Sequence, residues 1–400
     1  MYKICASLIF LSVLSFKSYA QDKPDLFGKG LKVEGKDSSY YLVMGFRFQN
    51  LYVADWTVND NGSLSGYNAA FLVRRARLKF DGWALSPRLT YKFELGLSNR
   101  DISGGLSDEF RNTSNVILDA WLAWNFYEHF SIQFGQGKLP GNRERLISSG
   151  NLQFVDRSRL NSRFTLDRGA GIQLKHYTRL GGAFLVREIF SLSQGDGRNV
   201  TEGFVGGFSY TFKLELLPFG EFASKGDYVG GAIKRETSPK LALGVSYDID
   251  DNAVRERGHL GTFITDDEGN YYGHTLNTFC ADLMFKYLGF SLMGEYAIRD
   301  TESHNPVVFD KAGNEIGTYY TGSGVNVQAG YMFDSNWELA ARYTALFPDM
   351  EVAENEDVYT IAISKYIVGH KLKVQTDFSY FDRATSLDSF MWRTQAEFHF

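Results

Sequence analysis

Cysteine is almost missing from this chain: two in 400 residues, Cys5 and Cys280, with Cys5 inside an N-terminal apolar run. The one remaining thiol excludes an internal disulfide framework, and a small side chain at position 280 needs no redox role. Proline is scarce as well, the full set being Pro24, Pro87, Pro140, Pro218, Pro239, Pro306 and Pro348. No apolar stretch beyond the first twenty residues approaches the roughly 18 residues of a transmembrane helix. A chain without such a run crosses a membrane only as a closed barrel, the other way to satisfy every backbone polar group in lipid. Basic charge is in deficit, 42 Lys and Arg against 47 Asp and Glu, which speaks against a nucleic-acid partner. Catalytic signatures are lacking too: there is no G-x-S-x-G, H-E-x-x-H, P-loop or calcium-loop motif. The seven histidines (His129, His176, His259, His274, His304, His370 and His399) are scattered without ligand spacing, so neither a cofactor nor a catalytic residue is expected.

What is present begins with Lys3, an apolar run from Ile4 to Phe16, and Ser18-Tyr19-Ala20. This is the pattern of a secretory signal peptide over 1–20, cleaved before Gln21. The mature chain is then expected beyond the inner membrane, with a short periplasmic segment at 21–39 and one architecture over 40–400. No linker, low-complexity tract or composition shift divides that span.

Within it, stretches of about ten residues alternate apolar and polar with a period of two, the mark of a strand with one greasy and one wet face. Leu89, Tyr91, Phe93, Leu95 and Leu97 alternate with Arg88, Thr90, Lys92, Glu94 and Ser98. The set Leu118, Ala120, Leu122, Trp124 and Phe126 repeats the pattern, as do Phe390, Trp392, Ala396, Phe398 and Phe400. Sixteen such segments are expected, at 40–53, 70–82, 87–98, 116–127, 130–138, 168–177, 183–192, 203–214, 239–249, 275–286, 287–298, 323–333, 336–346, 357–367, 370–381 and 389–400. The fold class is therefore all-β, a transmembrane antiparallel barrel.

The connections alternate in length as barrels of the outer membrane do, short at the periplasmic end and long at the outer end. Short joins fall at 83–86, 128–129, 178–182, 287–289, 334–335 and 368–369; long ones fall at 54–69, 99–115, 139–167, 250–274 and 299–322. One breaks the rule: 215–238 is periplasmic by count yet long, and reads as a folded hairpin or a miscounted strand pair. The prolines sit in tails, loops or strand ends, where no ladder hydrogen bond is lost. The 33 Phe and 23 Tyr suit two interfacial girdles.

Sixteen strands enclose more space than wall side chains fill, so an aqueous lumen is expected. No plug domain fits between Gln21 and the first strand. The 139–167 loop is the expected constriction, folded inward. In and around it stand Lys138, Arg143, Arg145, Arg157, Arg159, Arg163 and Arg168 against Glu144, Asp156 and Asp167. Arg75, Arg77 and Lys79 share one face of segment 70–82 and are assigned to the lumen, because a charge on the lipid face at mid-depth costs about 2–4 kcal/mol. Arginine forks bind phosphate and carboxylate oxygens in pairs and favour anions in a pore. The same arginines can instead brace the loop by pairing with wall acids such as Asp119, Glu94 or Glu338, and the sequence alone leaves both roles open.

The stretches Arg74-Arg75-Ala76-Arg77-Leu78-Lys79-Phe80-Asp81-Gly82, Phe134-Gly135-Gln136-Gly137-Lys138-Leu139-Pro140, Asn151-Leu152-Gln153-Phe154-Val155-Asp156-Arg157-Ser158 and Leu214-Glu215-Leu216-Leu217-Pro218-Phe219-Gly220 resemble the phosphate-selective porin O and P family. The resemblance runs from about residue 40 to the end and is most specific over 132–176. It implies a trimeric sixteen-stranded porin with a basic constriction loop. The terminal Phe400 resembles the aromatic signal by which bacterial barrels are recognised for assembly. The expectation is an outer-membrane channel for passive diffusion of small polar or anionic solutes such as phosphate, bedded in outer-membrane lipid and lipopolysaccharide. Two other classes compete: a barrel-embedded hydrolase, built from dispersed residues, and an adhesive or structural barrel. The latter would use acidic outer positions such as Asp248, Asp250, Asp251, Asp266, Asp267 and Glu268, since carboxylates suit hard cations.

Overall fold

A computed structural model describes residues 27–102, 108–201 and 205–400; the expected signal peptide lies outside them. Sixteen strands form the wall: β1 Tyr40–Val58, β2 Leu64–Ala84, β3 Ser86–Gly96, β4 Ile117–Tyr127, β5 Phe130–Lys138, β6 Arg168–Arg179, β7 Leu185–Gln194 and β8 Phe208–Leu217, then β9 Lys240–Ala253, β10 His274–Tyr287, β11 Phe290–Thr301, β12 Gly322–Met332, β13 Trp337–Pro348, β14 Glu356–Tyr366, β15 Leu372–Arg383 and β16 Ser389–His399. Each pairs antiparallel with the next. The sheet closes where β16 meets β1, with Phe398 opposite Phe48 and Trp392 opposite Ala54. Closure removes both edges, so every ladder group finds a partner. Phe400 completes the seam: its N–H donates to the Phe46 carbonyl, and the Phe46 N–H donates to the Phe400 carbonyl.

All sixteen segments read from the sequence are strands. The expected 203–214 is observed from Phe208 onward, residues 203 and 204 lying outside the described set. Three expectations about the connections change. The long outer join at 54–69 is mostly wall, because β1 and β2 continue upward as a tall hairpin whose turn spans only 59–63. The 21–39 segment contributes a short strand, Leu31–Glu34, that pairs with Tyr41–Met44 and so extends the sheet below the seam. The 218–239 connection is neither a hairpin nor a strand pair; it carries a 3-10 stretch, Ala223–Tyr228, and folds into the base of the barrel.

Outward side chains are apolar and bare, with Phe71, Leu122, Trp124, Phe134, Leu339 and Ile361 all more than half exposed. That is the surface a bilayer covers. Beside the periplasmic turns, Tyr127 packs on Phe130 and Tyr331 on Phe333, the aromatic girdle of one interface. At the opposite end Tyr52 meets Phe71 and Trp392, and Trp56 meets Tyr67 and Phe390.

Among the described residues, three of the buried apolar clusters are built where the 139–167 loop docks inside the lumen. Ile147 and Leu152 pack with Met284 and Met293, Leu160 and Phe164 pack with Cys280 and Ala297, and Phe154 fits against Ala340 and Ala362. Small inward residues on β10, β11, β13 and β14 thus make seats for the loop's large ones, and Cys280 is one of those seats.

Candidate functional site: a cation-lined lumen beside the docked loop

The inward fold of the 139–167 loop follows from where its backbone and charges find partners. Arg143 is fully buried and donates from Nε to Asp282 (2.6 Å), from one terminal nitrogen to Glu215 (3.0 Å) and from the other to the Asp227 carbonyl (3.2 Å). Glu144 accepts from the Ser158 backbone N–H and its hydroxyl, stapling the loop to itself. Wall side chains satisfy loop carbonyls that would otherwise be stranded away from water: Lys213 reaches Gly141, Lys373 reaches Leu152 and Gln375 reaches Gln153. From below, the 218–239 segment meets the loop, with Gly230 N–H donating to the Asn151 carbonyl at 2.7 Å. A Cβ at position 230 would lie 2.5 Å from the Gln153 nitrogen, so only glycine permits this approach.

Loop and base segment together fill the side of the lumen lined by β8 to β14. A cavity of about 1100 Å³ remains along β1 to β7 and β15 to β16. Among the described residues, fourteen basic and six acidic side chains line it. On β2 the expected face is present: Arg75 donates to Asp156 (2.8 Å) and Gln49 (2.6 Å), and Arg77 binds Asp101 through two nitrogens at 2.8 Å and Glu94 at 3.2 Å. Alternation fails one residue earlier. Gln49 pairs with Arg75 but Asn50 with Val73, leaving Arg74 as the extra residue of a β-bulge. Arg74 therefore turns to the lumen beside Arg75 and shares Asp156 with it, at 2.8 and 3.0 Å.

The remaining expected residues divide by partner. Lys79 pairs with Asp81 at 2.6 Å, half-exposed and away from the cavity lining. Arg143 is an anchor outside the lining. Arg163 is also outside it, with its guanidinium over the Tyr320 ring. Arg145 lines the cavity paired with Asp167, Arg159 with Glu356, and Arg168 with Asp119. Lys138 and Arg157 line it too, and among the described residues no carboxylate bonds to either side chain. Lys138 donates to the Leu146 and Ile147 carbonyls, and Arg157 to the Glu144 and Ile147 carbonyls. Two further cations share this condition and went unread in the sequence: Lys175, bonded to the Gln133 amide oxygen, and Arg198, bonded to the Asp101 carbonyl. The only sequence signal for Lys175 was its place on the wet face of a strand; Arg198 sits in an outer connection and gave none. Among the wall acids expected to brace, Asp119 and Glu94 hold cations, whereas Glu338 accepts from Gln153 and Tyr366.

Electrostatics follow the pairing. Burial would raise the Asp156 carboxyl, but the Arg75 and Arg74 charges outweigh it and hold it well below the usual carboxylate range. Arg77 does the same for Asp101, held at about 2 against the opposing effect of burial. Burial and then the Arg75 charge pull Arg157 down to about 9, and burial followed by Arg168 pulls Arg198 to about 10. Both stay charged at neutral pH; among the described residues neither is ion-paired, although Glu144 and Asp156 partly oppose the fall at Arg157 and Asp101 and Asp119 that at Arg198.

A closed antiparallel barrel with a greasy outer band, aromatic rings at both ends and a polar lumen is an outer-membrane channel. The chain belongs to the phosphate-selective porin O and P family, whose sequence model matches residues 44–389. It is 23% identical over 364 residues to an uncharacterized protein of Aquifex aeolicus (strain VF5), covering 82% of this chain and 80% of that one. Its fold is similar to that of the outer-membrane channel DcaP of Acinetobacter baumannii (12% identity, TM-score 0.53, 92% of this chain and 99% of that one). An anion-selective porin from Comamonas acidovorans is also similar (10% identity, TM-score 0.51, 90% and 99%).

Proposed function

We propose that this channel passes small solutes by passive diffusion with a preference for anions, phosphate among them, and carries out no catalysis. The observation that supports the reading is the set Lys138, Arg157, Lys175 and Arg198: lumen cations whose side chains, among the described residues, bond to carbonyl or amide oxygens and to no carboxylate. Carbonyl dipoles orient a cation without cancelling its charge, so a passing anion supplies what the wall withholds. Arg74, Arg75 and Arg77 contribute less, because Asp156, Asp101 and Glu94 already neutralise them. Their main role is the bracing one.

The assembly is proposed to be a homotrimer, exported through cleavage of residues 1–20 and contacting outer-membrane lipid and lipopolysaccharide; a similarly folded structure, OmpT of Vibrio cholerae, is described in a trimer form. The test is the zero-current potential of the refolded protein in a planar bilayer under a KCl gradient, followed by addition of inorganic phosphate. A chloride-preferring potential and a chloride current reduced by phosphate are expected. A potassium-preferring potential refutes the anion reading.

A further inference from the structure

Trp121 is the aromatic residue that the porin reading leaves without a purpose. On β4 the outward side chains are Ala120, Leu122 and Trp124, so Trp121 falls on the lumen face two residues after Asp119, and it lines the cavity partly exposed. Its main-chain partners across the ladders are Lys92 and Gly135. The sequence clears a place for the indole. A Cβ added at Gly137 would meet its Cδ1 at 3.0 Å and the Gln133 amide nitrogen at 3.0 Å. The Gln133 amide oxygen in turn accepts from Lys175 at 2.8 Å. Indole, glycine, amide and a cation without a carboxylate are thus contiguous on one patch of wall. An aromatic on the wet side of a wall strand gains nothing from lipid, and among the described residues no other ring stacks on this one.

We propose that Trp121 and Lys175 form a subsite for organic anions that carry a flat apolar group, aromatic carboxylates being the simplest class. Lys175 takes the carboxylate and the indole takes the ring. The inference rests on the anion preference proposed above and adds a solute class to it. Aromatic pairing beyond plain area burial strengthens binding roughly two- to ten-fold, and the affinity difference between a ringed and a ringless carboxylate is expected in that range.

The experiment measures block of the chloride current by benzoate and by acetate in a planar bilayer, for the full chain as wild type, Trp121→Ala and Trp121→Phe. Wild type is expected to be half-blocked by benzoate at a concentration two- to ten-fold below that for acetate. Trp121→Ala should bring the two concentrations together, and Trp121→Phe should keep most of the difference. An anion-preferring wild type blocked equally by both overturns the subsite alone, as does a Trp121→Ala channel that discriminates as wild type does. A potassium-preferring wild type overturns the anion reading and the subsite with it.

Discussion

Removing the Arg143 guanidinium should loosen the constriction loop without releasing it. Its partners Asp282, Glu215 and the Asp227 carbonyl are all buried, and taking one partner from a buried ion pair costs about 3–5 kcal/mol. Asp282 keeps Lys213 at 2.8 Å, whereas Glu215 keeps Arg187 at a looser 3.5 Å and the Tyr228 hydroxyl at 2.5 Å, so the charge left under-compensated is mainly that of Glu215. Against this loss stand Ile147, Leu152, Phe154, Leu160 and Phe164, none more than 4% exposed. At roughly 1.5–3 kcal/mol each they hold the loop by about 8–15 kcal/mol. Arg143→Met should therefore fold, insert and conduct, with an unfolding free energy in urea from detergent micelles lower by about 3–5 kcal/mol and with brief openings to a larger conductance in single-channel traces. Arg143→Met combined with Glu215→Gln removes the under-compensated charge, while Arg187 keeps Asp227 at 2.5 Å, and should recover part of the loss. An Arg143→Met protein with wild-type unfolding and a quiet trace would refute the anchor, and so would a double variant no better than the single.

Other consequences are narrower. Phe154→Ala empties the seat against Ala340 and Ala362 and should cost about 3–5 kcal/mol in the same urea assay. Because the Asp156 carboxyl is depressed, its latch is intact above the ordinary carboxylate value of 3.8 and is lost only as pH falls through its lowered value; single-channel conductance should stay level from pH 8 to about 4. Asp156→Asn frees Arg74 and Arg75 and should shift the zero-current potential further toward chloride. Burial, then the Arg299 and Arg255 charges, lower His259 to about 3. Its contribution to stability is complete above the ordinary value of 6.5 and drains away as pH falls toward 3, by up to about 1.4 kcal/mol per pH unit. His259→Gln should flatten urea stability across that window.

The wall was legible because lipid on one side and water on the other enforce a period of two, strand after strand. The same rule hid its own exceptions. Arg74 falls on the lipid side by counting and on the lumen side by the bulge at Gln49 and Asn50, which no local pattern announced. Trp121 stood on the wet face in plain sight, but an aromatic within a strand reads first as girdle or packing. The basic surplus of the 139–167 loop was visible, whereas its division into braces and open charge was not. Arg143 and Arg157 look alike in sequence; one meets Glu215 and Asp282 from 72 and 139 residues away, whereas the guanidinium of the other bonds to the Glu144 and Ile147 carbonyls. The inward course of 218–239 depends on Gly230 clearing the Gln153 backbone, a contact between two segments whose meeting the chain order does not reveal.

Selectivity is proposed to be set by the lumen cations that bond to carbonyl or amide oxygens instead of carboxylates. The measurement is the zero-current potential, in a KCl gradient, of the protein with Lys138, Arg157, Lys175 and Arg198 each changed to Gln, beside wild type. A conducting channel whose chloride preference is lost is expected. A variant that conducts with the wild-type chloride preference would refute the role of these four cations and return the selectivity to the paired arginines of the wall.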